Sequence, residues 1–223
     1  MRVKICGITS IEDALLASKY GADAVGILVG LTHRSEDEVT LEEAKKIINA
    51  LPPFITPVMV THLLDHKEIL EYIKHLQIAT VQLHDEISID EIINLREKAP
   101  YLKIIKTVHV TGSEAIEKAK MYEKVANGIE LDSINPKEDR IGGTGITHDW
   151  NISKKIVASI KVPVILAGGL TPENVEIAIR TVSPYGVDVN SGVKVSKTSR
   201  KKDPEKLKKF IHNAKRAFLE LSR

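Results

Sequence analysis

Residues 164–193 read VILAGGLTPENVEIAIRTVSPYGVDVNSGV. The order is strand, glycine turn, helix, strand, glycine turn. Residues 164–167 and 186–189 are short apolar runs rich in β-branched side chains, the composition of strands buried on both faces. Between them residues 172–182 carry a helical period, with Thr171 supplying a capping oxygen and Pro172 the first turn. A helix between two such strands is a crossover, and a crossover makes the strands parallel.

The same unit repeats outward in both directions. Strands are expected at 3–7, 24–29, 55–61, 80–83, 102–108, 128–131, 164–167 and 186–189, and helices at 11–20, 41–51, 66–76, 88–99, 113–122, 150–160, 172–182 and 204–221. Asp203 before Pro204 repeats the capping signal. Eight parallel strands with crossover helices can close on themselves and remove both sheet edges. The sequence therefore predicts the α/β class, as one (β/α)8 TIM-barrel domain spanning 1–223, with no linker inside it.

In such a barrel chemistry sits at the C-terminal ends of the strands. Cys6 ends the first strand beside Gly7 and shares a face with Lys4. It reads as a small buried hydrophobe or, where positive charge or helix N-termini depress its pKa, as a base. Asp132 ends the sixth strand, and alternation puts Glu130 on its face. Asp132 reads as a structural acceptor or as a general acid. Glycines close the last turns at Gly142, Gly143 and Gly145, at Gly168 and Gly169, and at Gly192 after Ser191. They serve tight turns, or let amides and helix N-termini grip a phosphate.

Composition narrows the class. Of 223 residues, 43% are hydrophobic and 28% charged, and 32 basic against 30 acidic residues leave a formal charge of +2. That is an ordinary globular balance, without the field that would attract nucleic acid or a membrane. The basic run 197–202 reads as a solvated loop. A single cysteine excludes an intramolecular disulfide and fits a reducing, cytoplasmic setting.

Six blocks appear together: Lys4-Ile5-Cys6-Gly7-Ile8-Thr9, Val81-Gln82-Leu83-His84, Leu131-Asp132-Ser133, Gly142-Gly143-Thr144-Gly145, Ala167-Gly168-Gly169-Leu170-Thr171-Pro172-Glu173-Asn174-Val175 and Gly186-Val187-Asp188-Val189-Asn190-Ser191-Gly192-Val193. In order and spacing the chain resembles the phosphoribosylanthranilate isomerases over nearly its whole length. The resemblance implies an Amadori rearrangement of N-(5'-phosphoribosyl)anthranilate in tryptophan biosynthesis, with no cofactor and no metal. It implies Cys6 as general base and Asp132 as general acid. Arg34, Gln82, His84 and Asp188 become substrate contacts, and Gly143, Gly145, Gly168, Gly169, Ser191 and Gly192 the phosphate site. The expected partner is the phosphorylated sugar substrate, and the expected state a monomer or homodimer.

The chain also departs from the family. The loop from Val29 to Asp37 lacks the usual Tyr-Pro-Lys-Ser-x-Arg-Tyr run, and Arg34 fits with a one-residue offset. His33, His62, His84, His109 and His148 all fall on the expected functional face, although only His84 belongs to the usual pattern. His62, His84 and His109 end consecutive strands and could hold a metal or a carboxylate. Glu130 stands where relatives mostly carry an apolar residue, and is expected to raise the pKa of Asp132 or to pair with a histidine. Two other functions fit these departures: a paralogue acting on another sugar phosphate, for which the histidines could hold an assisting metal, and a non-catalytic barrel that binds a phosphorylated metabolite.

Overall fold

Local chemistry sets most helix starts. Ser10 accepts from the Asp13 amide, Thr40 forms a reciprocal box with Glu43, and Asp65, Ser88 and Asp149 each accept from the first turn of their helix. Asp203 accepts from the amides of Glu205 and Lys206, as expected. Each such cap satisfies an amide that the helix itself leaves unpaired.

The computed structural model describes residues 1–32, 35–135, 140–141, 147–196 and 198–221. Its main elements are β1 (Arg2–Ile5), α1 (Ile11–Tyr20), β2 (Ala24–Leu28), α2 (Leu41–Ala50), β3 (Thr56–Thr61), α3 (His66–Leu76), β4 (Thr80–Leu83), α4 (Ile89–Lys98), β5 (Lys103–His109), α5 (Glu114–Tyr122), β6 (Gly128–Asp132), α6 (Trp150–Ser159), β7 (Val164–Leu166), α7 (Val175–Val182), β8 (Gly186–Val189) and α8 (Pro204–Leu221). The strands close in the order β1-β8-β7-β6-β5-β4-β3-β2. Every neighbouring pair is parallel, and β1 meets β8 with Lys4 beside Asp188. The expected barrel is therefore the observed one.

Two details differ from expectation. The seventh helix starts at Val175 rather than at Pro172. Thr171 caps a turn instead: its hydroxyl accepts from the Glu173 amide, its amide donates to Asn174 Oδ1 at 2.8 Å, and Asn174 Nδ2 donates to the Gly169 carbonyl at 2.9 Å. The second difference is an unforeseen antiparallel ribbon after β6, Ile134–Asn135 with Arg140–Ile141. Two-residue strands carry no readable period.

The larger core fills the shell between barrel and helices, where strand residues such as Val3, Val81, Ile129 and Val187 meet helix residues such as Ile69, Ile92, Ile179 and Phe210. Inside the barrel only a small apolar cluster forms around Cys6, Val58 and Val60. The rest of the lumen is polar: Lys4, Gln82, Thr107, Glu130 and Asp188 are all buried. No helix among the described residues is long and apolar enough to cross a membrane.

Candidate active site

Alternation along the strands aims one set of side chains up the lumen. Cys6, His62, His84, His109, Asp132 and Asn190 form its topmost layer, one residue from each of β1, β3, β4, β5, β6 and β8 or the position just beyond the strand. β6 lies three strands from β1 around the closed sheet, one short of diametric, so Asp132 stands nearly across the mouth from Cys6.

Below this layer Lys4 is the hub. Its ammonium donates to Gln82 Oε1 at 2.6 Å, Glu130 Oε2 at 2.8 Å and Asp188 Oδ2 at 2.7 Å. Burial pulls the ammonium toward neutrality, but the Asp188 and Glu130 carboxylates outweigh it and hold Lys4 above its ordinary value. Gln82 also donates to Glu130 and Thr107, so this predicted substrate contact is a floor residue, 1% exposed and occupied by its neighbours. Glu130 is paired by Lys4 and Gln82, not by the expected histidine. Burial raises its carboxyl in spite of Lys4. Asp188 keeps one buried oxygen, Oδ1, without a hydrogen-bond partner among the described residues.

Asp132 is 7% exposed. Burial, and after it the Asp188 charge, push its carboxyl up to about 7, against the Ser133 amide that donates to it at 2.7 Å. Of the two readings of Cys6 the buried one describes its surroundings: burial pushes its thiol up to about 12, which Lys4 and Lys202 oppose without reversing. Its sulfur fits because β2 offers a glycine there, for a Cβ on Gly26 would lie 2.8 Å from Sγ.

The histidines divide. His62 and His84 stack with centroids 5.2 Å apart, and His109 meets His84 edge-on at 5.1 Å. Burial, then their mutual proximity, keeps His84 neutral; burial, then Lys106, lowers His109 to about 4. His84 Nε2 lies 3.9 Å from Asp132. His148 is elsewhere, with Nε2 2.6 Å from Ser153 Oγ. His33 and the predicted substrate contact Arg34 lie outside the described residues. Ligand atoms of His84, Glu130 and Asp132 fall within 4.8 Å of one another, a grouping that could take a cation. The Lys4 ammonium bonded to Glu130 would repel one.

Of the predicted phosphate site, Gly143 and Gly145 lie outside the described residues. Gly168 and Gly169 both take positive φ, 78° and 63°, and a Cβ on Gly168 would lie 2.8 Å from the Ser133 amide and 3.1 Å from Asp132 Oδ1. The loop after β7 thus adjoins Asp132. Ser191–Val193 forms a 3₁₀ turn after β8, where a Cβ on Gly192 would strike the Leu170 carbonyl. The two loops are packed together, and the amides of Gly168, Gly169, Ser191 and Gly192 donate to no backbone acceptor among the described residues. Such amides make an anion cradle.

A profile of the family described as N-(5'-phosphoribosyl)anthranilate isomerase matches residues 3–213. The chain belongs to the phosphoribosylanthranilate isomerase family. Like the named members of that family, it is an isomerase by descent. It is 47% identical over 221 residues to N-(5'-phosphoribosyl)anthranilate isomerase 2 of Methanosarcina mazei, covering 99% of this chain and 97% of that protein. It is 43% identical over 214 residues to the Methanocella arvoryzae enzyme, covering 96% and 98%. Among solved structures, the Thermotoga maritima phosphoribosylanthranilate isomerase superposes with a TM-score of 0.83 at 38% identity, covering 96% and 98%. Another isomerase of the family, solved with reduced 1-(o-carboxyphenylamino)-1-deoxyribulose 5-phosphate, gives 0.81 at 36%, with the same coverage.

One group escaped sequence reading. Lys202, taken as part of a solvated loop, is 3% exposed, and Lys194 is 4% exposed. Lys194 pairs with buried Asp37 at 2.6 Å, and Lys202 bonds Asn190 at 2.7 Å. The only available signal was their position after the glycine turn of β8. Charge runs are usually surface features, which hid it.

Proposed function

We propose that this chain isomerises N-(5'-phosphoribosyl)anthranilate to 1-(2-carboxyphenylamino)-1-deoxyribulose 5-phosphate in tryptophan biosynthesis. Asp132 protonates the ribose ring oxygen; the C1–oxygen bond opens, leaving an iminium ion at C1. Cys6, as thiolate, then removes the C2 proton, and the resulting enolamine tautomerises to the ketose. The observation that carries this reading is Asp132 itself: a buried carboxyl raised to about 7 still holds its proton near neutrality, as a general acid must. The paired glycine loops support a phosphate next to it. His84 and the partnerless Asp188 Oδ1 support contacts above the floor. Residues 1–223 work as one domain in this reading, supported by the pairing of β1 with β8.

The test is turnover of freshly generated phosphoribosylanthranilate, followed by loss of anthranilate-type fluorescence, with and without chelator. We expect chelator-insensitive turnover that Cys6→Ala and Asp132→Asn each reduce by about 10²–10⁴-fold. Growth of an isomerase-deficient bacterium without tryptophan, supported equally by wild type and both variants, would overturn the assignment of acid and base.

A further inference from the structure

A buried thiol is a poor base unless a cation sustains its thiolate. The charged groups acting on Cys6 come from four places: Lys4 on its own strand, Glu130 on β6, Asp188 on β8, and Lys202 between the 3₁₀ turn and α8. Both carboxylates work against a thiolate. Lys4 works for it, but all three of its ammonium protons are already directed to Gln82, Glu130 and Asp188.

Lys202 is differently placed. Its ammonium donates to Asn190 Oδ1 at 2.7 Å and toward the Asn190 carbonyl at 3.4 Å, and no carboxylate among the described residues lies within salt-bridge distance. Nearby Asp37 is taken by Lys194 at 2.6 Å and by Asn190 Nδ2 at 2.9 Å, and Asp13 accepts from the Lys202 backbone amide at 3.1 Å. Asn190 also fixes where this charge sits: a Cβ on Gly7 would meet Asn190 Oδ1 at 2.5 Å, so the amide group lies directly over the turn that follows Cys6. The result is a buried ammonium, held by Asn190 over the turn that follows the thiol and without a carboxylate in salt-bridge distance among the described residues. A thiolate completes the pair.

We propose that Lys202 is a positioning residue for the isomerase reaction, its ammonium favouring the Cys6 thiolate when it forms and Asn190 setting its place. The inference rests on the reading of Cys6 as general base. The proton leaves sulfur for solvent or product; Lys202 acts through its charge alone. Burial lowers Lys202 to about 8, so the ammonium is present through neutrality and fades above that value.

Because Cys6 is the only cysteine, its alkylation by iodoacetamide reports its titration without any substrate. The experiment follows alkylation rate against pH by mass spectrometry for wild type, Lys202→Met and Lys202→Arg, beside kcat/KM and KM. We expect Lys202→Met to slow alkylation at pH 7 about tenfold, and the difference from wild type to shrink above pH 8 as the wild-type ammonium loses its proton. Lys202→Arg should recover most of the rate, and kcat should follow alkylation while KM stays near wild type. Lys202→Gln, which keeps a donor for Asn190 without the charge, replaces the Met variant if that does not fold. A Met or Gln profile overlying wild type overturns the proposal, as does an Arg profile matching Met. A shifted alkylation profile with unchanged turnover upholds the pairing of Lys202 with Cys6 and removes Cys6 from the role of base.

Discussion

Asp132 links stability to acidity in a direction that can be worked out. Unfolded, its carboxyl titrates near 3.8; folded, it titrates near 7. The folded state therefore holds the extra proton between those values, and the stability this group contributes is whole below about pH 4 and lost as pH rises to 7. Asp132→Asn, which can still accept from the Ser133 amide, should gain about 2–4 kcal/mol over wild type at pH 8 and almost nothing at pH 4. Urea melts at the two pH values check this. The same titration limits catalysis: kcat/KM should fall above pH 7 as the acid loses its proton, and that limb should vanish from the residual activity of Asp132→Asn. Lys4→Met strands two buried carboxylates and should cost about 3–5 kcal/mol by the same melts. At this scale strand alternation made the inward aim of Cys6 and Asp132 legible. What it could not reveal was degree of burial, which depends on residues far away in sequence. The Cys6 thiol is accordingly raised, as the reading of it as a buried hydrophobe would have it, and Gln82 serves the floor rather than the mouth.

Elements were more legible than residues, because amphipathic period and caps are local. All eight strands and helices fall within a few residues of the expected bounds. The exception at α7 is instructive: Thr171 and Pro172 carry a helix-start signal, but Asn174 reaches back to the Gly169 carbonyl and turns those residues into a brace for the glycine loop. Asn174→Ala should weaken competitive inhibition by inorganic phosphate severalfold while moving Tm by no more than a few degrees. Gly192→Ala is the harsher change, since its Cβ would strike the Leu170 carbonyl. The loops after β7 and β8 would have to part, at a cost of about 1–3 kcal/mol and with loss of phosphate inhibition. Thermal melts and phosphate inhibition constants check both variants.

At the scale of the molecule, the βα alternation and the count of eight specified a closed sheet, and closure brought Lys4 of the first strand against Asp188 of the last. The layer tying Lys4 to Gln82, Glu130 and Asp188 also divides the lumen. Beneath it, at the opposite end of the barrel, lies a cavity of about 390 Å³ lined by Val3, Thr56, Ile105 and Val187, with Lys4 in its roof. That bonded floor separates the mouth from the lower cavity. With the floor closed beneath it, the mouth offers substrate and a stable product analogue the same place, so the analogue should inhibit competitively, which initial-rate kinetics would read as lines meeting on one axis.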